Sequence, residues 1–333
     1  MRQAKISGTG SAVPARVVTN AELSARLGED IAPFVEGTLG IHTRHWCNAD
    51  EATSDLAMLA AERALASADR TAGEIDLVIV ATDTPDYVSP STASVVQGRL
   101  GATRAGAMDV NAGCAGFVTA LDIAWKYIRA DERYERVLVI GAYAMSKYLD
   151  RDDKKTVTIF GDGAGAVVLE LDDRPGVLAS ELFADGTLCE DMGIYAGGTR
   201  LPIDERVLAD GYKNHLRFVR KYPASVNEEG WPRIVRSVLG RAGRDVPDVA
   251  HWFWTQVNRS TIEHVMGLLG EPMSKAPMIM DKWGYTGSAC LPMALDDAVR
   301  AGRLRDGDLI VFTASGAGLA MGSLAMIWRE GAR

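Results

Sequence analysis

Asp109-Val-Asn-Ala-Gly-Cys-Ala-Gly-Phe117 ends one ordered run and begins another, with too little side-chain volume in between to fill a core. A strand closes near Val110 and a helix opens near Ala115, so Cys114 stands at the strand-to-helix junction where α/β enzymes place their chemistry. Small neighbours leave the sulfur accessible. Free N–H groups in the helix's first turn, together with its dipole, favour a thiolate. The expectation is a nucleophilic cysteine of lowered pKa, activated without a bonded histidine. Most cysteines are small buried hydrophobes, and Cys47, Cys189 and Cys290 are read that way. They form no CxxC pair and have no histidine at metal-ligand spacing, so neither a metal nor a disulfide framework is indicated.

Outward from this junction, Asp76-Leu-Val-Ile-Val-Ala81, Arg136-Val-Leu-Val-Ile-Gly141 and Asp308-Leu-Ile-Val-Phe-Thr313 are continuous apolar runs, the mark of strands buried on both faces. Helical periodicity over Thr53 to Ala68, Ala115 to Ala130, Trp231 to Ala242 and Leu291 to Ala301 alternates with them, which predicts an α/β fold. The alternation repeats. Ser54 to Thr82 recurs as Trp231 to Thr255, and Gly113-Cys-Ala-Gly-Phe-Val-Thr-Ala-Leu-Asp122 matches Gly287-Ser-Ala-Cys-Leu-Pro-Met-Ala-Leu-Asp296 without a gap. Cys114 thereby pairs with Ser288. Each half ends in a glycine-rich turn, Phe160-Gly-Asp-Gly-Ala-Gly-Ala166 and Ala314-Ser-Gly-Ala-Gly-Leu-Ala-Met-Gly322. The first runs into the strand-like Ala166-Val-Val-Leu-Glu170 rather than a helix, so close backbone packing is favoured over a phosphate cradle. The predicted organisation is an N-terminal half over residues 1–171, a cap or insertion over the cleft at 172–226, and a C-terminal half over 227–333.

The 333 residues suffice for two packed halves, and 47% hydrophobic with 24% charged residues is an ordinary globular mixture. The net charge of -8 is spread without a basic stripe, which argues against nucleic acid. No signal-like h-region and no membrane-length apolar run is present, so the expected location is the cytoplasm, away from the membrane.

Four motifs carry a resemblance over essentially the whole length: Asp109 to Phe117, Phe160 to Ala166, Gly40-Ile-His-Thr-Arg44, and Ser315 to Gly322. With them the chain resembles the ketoacyl-acyl carrier protein synthases III of the thiolase-like superfamily. The resemblance implies a duplicated βαβαβαβ fold in a layered αβαβα sandwich, a homodimer, and ping-pong acyl transfer through an acyl-Cys114 thioester. It implies that backbone N–H groups of Cys114 and Ala317 hold the thioester oxyanion. The acyl donor is expected as a coenzyme A or acyl carrier protein thioester, with no resident cofactor and no metal.

The family's catalytic histidine and asparagine have other residues in their places, read here as Gln256 and Tyr285. Both can donate hydrogen bonds, and neither is a base at neutral pH. The expected activity is therefore acyl transfer in fatty-acid-like or specialised metabolite biosynthesis that need not include malonyl decarboxylation. Of the five histidines (His42, His45, His215, His251, His264), His215 in the cap is the one best placed to compensate. By register, Ser89 stands where bulkier residues close the acyl pocket in some relatives, which suggests room for a larger acyl group. Phe34 and Thr38 fall where the family stacks a tryptophan and places an arginine against coenzyme A, and Thr261 where a further arginine stands. A weakened grip on coenzyme A points to an acyl carrier protein partner. Two other readings remain open at this stage, a non-catalytic subunit of a heteromeric ketosynthase and a thioester hydrolase.

Overall fold

The computed structural model describes residues 2–209 and 215–330. The first half contributes β1 (Gln3–Ala12), β2 (Leu77–Ala81), β3 (Gly106–Val110), β4 (Arg136–Tyr143) and β5 (Gly163–Asp172), arranged in the order β1-β5-β4-β2-β3. The second contributes β6 (Val177–Ala184), β7 (Val249–Trp254), β8 (Leu309–Gly316) and β9 (Ala320–Ile327), in the order β7-β8-β9-β6. β5 runs antiparallel to both β1 and β4, and β2 runs parallel to β4 and β3. In the second sheet β9 is antiparallel to both β6 and β8, and β7 is parallel to β8. Strand for strand, β6, β9, β8 and β7 repeat β1, β5, β4 and β2. The expected duplication is present, and among the described residues only β3 has no strand counterpart in the second sheet.

One boundary is corrected. Residues 172–226 are not wholly an insertion, because Val177–Ala184 is β6, the edge strand of the second sheet, paired with β9. Its half-exposed pattern, with Leu182 and Phe183 facing outward, hid the strand from a search for continuous apolar runs. Further along the segment, Phe218 stacks on Phe160 with ring centroids 6.2 Å apart.

Helices α1 (Thr53–Ala68) and α2 (Thr92–Leu100) cover one outer face, and α4 (Gly230–Ala242) and α5 (Arg259–Leu269) the other. Between the sheets lie α3 (Gly116–Ala130) and α6 (Cys290–Arg300), apolar on most of their circumference because both faces are covered. This is the five-layered αβαβα sandwich. The shared Ala-Leu-Asp register marks equivalent points: Asp122 accepts from Ser180 on β6, and Asp296 accepts from Thr9 and Ser11 on β1, at 2.8 and 2.6 Å.

Close layers demand glycine. The glycine turn before β5 is packing, as expected: a Cβ on Gly165 would stand 2.6 Å from the Met293 nitrogen of α6. On the opposite face, a Cβ on Gly10 would overlap the backbone of α1 at Ala60 and Ala64. Gly10→Ala is expected to lower stability by about 1–3 kcal/mol, since strand and helix must separate. Gly73→Ala, where nothing lies within 4 Å, should leave the unfolding midpoint in denaturant almost unchanged. Equal midpoints for the two variants would show that this approach is not tight.

Candidate active site

The sequence-predicted junction is real: β3 ends at Val110, α3 starts at Gly116, and Cys114 lies between them. Gly113 turns the chain with φ of 52°, and a Cβ there would stand 2.8 Å from the Ala317 nitrogen. A Cβ on Gly316 would overlap the Cys114 nitrogen. The turn joining β8 to β9 therefore lies directly on the turn carrying Cys114. This brings together the backbones of Cys114 and Ala317, the pair expected to bind an oxyanion.

The paired position behaves differently. The Ser288 hydroxyl donates to the carbonyls of Ala81 and Ala142 at 2.9 and 3.2 Å, tying the head of α6 to the ends of β2 and β4. Its duplicate Cys114 is free of such duty. The phenol of Tyr285 acts on the Cys114 thiol, favouring the thiolate. Tyr285 Oη lies 2.9 Å from Thr255 Oγ1, which is 3.7 Å from the Cys290 sulfur. Backbone bonds fix Tyr285 in place: its N–H donates to Ile159 at 2.9 Å and its carbonyl accepts from Gly161 at 3.0 Å.

Gln256 is a correction. Its Nε2 donates to the Pro277 carbonyl at 3.0 Å, and its Oε1 accepts from the Ile279 and Met280 nitrogens at 2.8 and 3.2 Å. Three hydrogen bonds of the amide go to pinning residues 277–280, and among the described residues none of its bonds reaches Cys114. Thr255 faces the site instead. The alternation of β7 already contains this: Phe253 packs in the core between the sheets, Trp252 and Trp254 in the outer core, and continuing the period of two sends Thr255 inward with Phe253.

The electrostatics also correct an expectation. Cys114 is 6% exposed, not accessible, and its thiol is pushed well above the ordinary value, by burial first and the nearby charge of Asp83 second. The Tyr285 hydrogen bond pulls the other way and does not prevail. Desolvation of the charged form outweighs the helix N-terminus, whose Gly116 N–H is already bonded to the Gly113 carbonyl. Tyr285 and Tyr143 are driven up by burial too, and Asp83 to about 6 by the same cause. Asp83 was missed in the sequence. The signal available was its place immediately past a fully buried parallel strand, the carboxyl end at which open α/β sheets bind ligands.

The remaining expected residues lie around rather than in this cluster. His215 has its Nδ1 3.9 Å from Asp150 Oδ2, and so faces the rim of the cap. Among the other histidines, His45 and His251 meet the carbonyls of Pro14 and Arg303, and His42 pairs with Glu36. None of these compensates at Cys114. Ser89 is exposed on the loop before α2, outside the buried group around the thiol. Phe34, 60% exposed, and Thr38 stand beside the turn at Gly40 that Arg259 covers, and Thr261 is on the same first turn of α5. The three therefore share one surface.

Comparison with known proteins agrees with this geometry. Models of 3-oxoacyl-[acyl-carrier-protein] synthase III match residues 108–186, and of its C-terminal part residues 239–328. A beta-ketoacyl-[acyl-carrier-protein] synthase III of Xanthomonas oryzae is 38% identical over 96% of either chain. A 3-oxopimeloyl-[acyl-carrier-protein] synthase of Rhodothermus marinus is 39% identical over 98% of this chain and 94% of its own. The crystal structure of 3-oxoacyl-(acyl carrier protein) synthase III from Pseudomonas aeruginosa superposes with a TM-score of 0.90, at 33% identity and complete coverage of both chains. Sequence, sheet order and the turn that holds Cys114 lead to one assignment: the chain belongs to the 3-oxoacyl-[acyl-carrier-protein] synthase III family, acyltransferases of the thiolase-like fold.

Proposed function

We propose that Cys114 accepts an acyl group from a thioester and passes it to a second substrate, in fatty-acid-like or specialised metabolite biosynthesis. The observation that carries this reading is the close approach of the Ala317 turn to the turn bearing Cys114, which sets the two backbones against each other beside the sulfur. The Cys114 sulfur bonds to the thioester carbonyl carbon, the bond to the carrier sulfur breaks, and the thiol proton leaves with the departing carrier. The N–H groups of Cys114 and Ala317 stabilise the oxyanion formed between these events. Tyr285 orients the sulfur, and Thr255 orients Tyr285. The acyl-enzyme is then attacked by the acceptor.

Neither hydroxyl in this wall is a base at neutral pH. The acceptor's nucleophile is therefore generated by carbon dioxide loss from a malonyl thioester, or arrives as a hydroxyl or amine. An acyl carrier protein is the favoured carrier, supported by the exposed Phe34 and Thr38 where a firm coenzyme A contact would be expected. A homodimer is supported by β3, which ends the first sheet with one edge unpaired among the described residues. No described helix is long and apolar enough to cross a membrane.

Incubation with a panel of acyl thioesters, read by intact mass spectrometry, is expected to add one acyl mass to the wild type and none to Cys114→Ala. Absence of any adduct on both proteins across the panel would defeat this reading. Malonyl thioester supplied to the acylated enzyme separates the acceptor classes: released carbon dioxide marks condensation, and its absence marks transfer to oxygen or nitrogen.

The raised thiol pKa gives a second test. Only the thiolate is alkylated, and the folded thiol stays neutral until pH exceeds its elevated value. Iodoacetamide labelling of Cys114 should be slow at pH 7 and still climb above pH 9. Tyr285→Phe removes a hydrogen bond that favours the thiolate, so labelling should slow further at each pH. A rate already level near pH 7 would mean that Cys114 is activated and that burial does not control it.

A further inference from the structure

We infer that the acyl group selected by this enzyme carries a protonated amine, and that Asp83 is the residue that receives it. The inference rests on the acyl-Cys114 reading and specifies its substrate class.

Asp83 follows β2 at the carboxyl end of the sheet, with Cys114 following the neighbouring strand β3 and Ala144 following β4 on the other side. The charge of the carboxylate disfavours ionisation of the Cys114 thiol and of the phenols of Tyr143 and Tyr148. Its Oδ1 is sealed from solvent and has no hydrogen-bond partner. Only its own backbone N–H favours the charged form, and no cation among the described residues does so.

The protein satisfies its fully buried carboxylates, whereas Asp83 is half-buried with one oxygen, Oδ1, sealed. Asp162 accepts from the Cys47 and Ser146 nitrogens, both under 3 Å. Asp76 takes Arg104 and two backbone N–H groups, Asp122 takes Lys126 and Ser180, and Asp296 takes Thr9 and Ser11. An Asp83 oxygen left without a partner, two residues past the strand that neighbours β3, stands apart from this practice, and a sealed polar atom of that kind carries a penalty. A ligand that brings a cation removes the penalty; a plain alkyl acyl group leaves it in place and is selected against.

The walls suit the same ligand. Tyr143, Phe160 and Tyr285 form a connected aromatic group, with centroids 6.2 and 5.6 Å from Phe160, and the charge of Asp83 reaches the phenols of Tyr143 and Tyr148. Aromatic faces around one carboxylate are a common solution for holding an ammonium group. No hydrogen bond joins Asp83 to the Cys114 thiol among the described residues, so its position favours contact with the bound acyl chain over removal of the Cys114 proton.

The test compares isosteric pantetheine thioesters on the full-length protein, with acyl-Cys114 formation followed by intact mass. The pairs are 3-aminopropanoyl against butanoyl, and 3-(dimethylamino)propanoyl against 4-methylpentanoyl. Wild type is expected to favour the amine of each pair by about tenfold or more, the scale of a charge-assisted hydrogen bond. Asp83→Asn and Asp83→Thr should lose that preference while accepting the alkyl groups at least as fast, which also shows that both variants fold. Equal rates for amine and alkyl on the wild type would overturn the inference while leaving the acyl-enzyme reading intact. A uniform slowing of every thioester in both variants would also overturn it, by making Asp83 a proton-transfer group. Failure of all thioesters on the wild type would remove the acyl-enzyme reading and this inference with it.

Discussion

Two carbonyl oxygens accepting one hydroxyl hold the site's geometry together. Ser288 at the head of α6 donates to Ala81 at the end of β2 and to Ala142 in β4, and so attaches the second half's central helix to the first half's sheet. Neither carbonyl has water to turn to at that depth, so loss of the donor costs about 1–3 kcal/mol for each group left unsatisfied. The contact is possible only because glycines let the layers meet. A Cβ on Gly141 would overlap the Ser288 carbonyl oxygen, and one on Gly116 would stand 3.2 Å from the Ala81 Cβ. With α6 held there, Tyr285 and Thr255 follow from neighbouring turns and reach Cys114.

The duplication thus has divided labour. Equivalent residues at the heads of two equivalent helices do different things: Ser288 joins the halves, and Cys114 keeps a free sulfur. The asymmetry lies in the surroundings more than in the residue. The first sheet has a fifth strand, β3, which delivers the Cys114 turn, whereas the second sheet has none. In its stead residues 277–280 are held by the side chain of Gln256. Gln256 is a structural brace for that stretch of backbone.

Burial gives this site its character. A thiol enclosed by aromatic rings and a carboxylate is neutral at rest, because each nearby group either excludes water or repels negative charge. Reading Cys114 only as a residue at a helix N-terminus leaves out burial, which sets the direction of its pKa shift.

The sequence by itself determined the α/β class, the repeat and the position of Cys114. These rest on local periodicity and on a short-range junction between strand and helix, and one chain segment contains all the information they need. It also carried, unread, the alternation that turns Thr255 inward. Only the tertiary structure decided which side chains meet. Tyr285 reaches Cys114 from 171 residues away along the chain, Gln256 is spent on a neighbouring backbone, and β6 belongs to a sheet rather than a cap. The sign of the thiol's pKa shift belongs with these, because desolvation depends on every group that closes over a site, and those groups are brought together by folding alone.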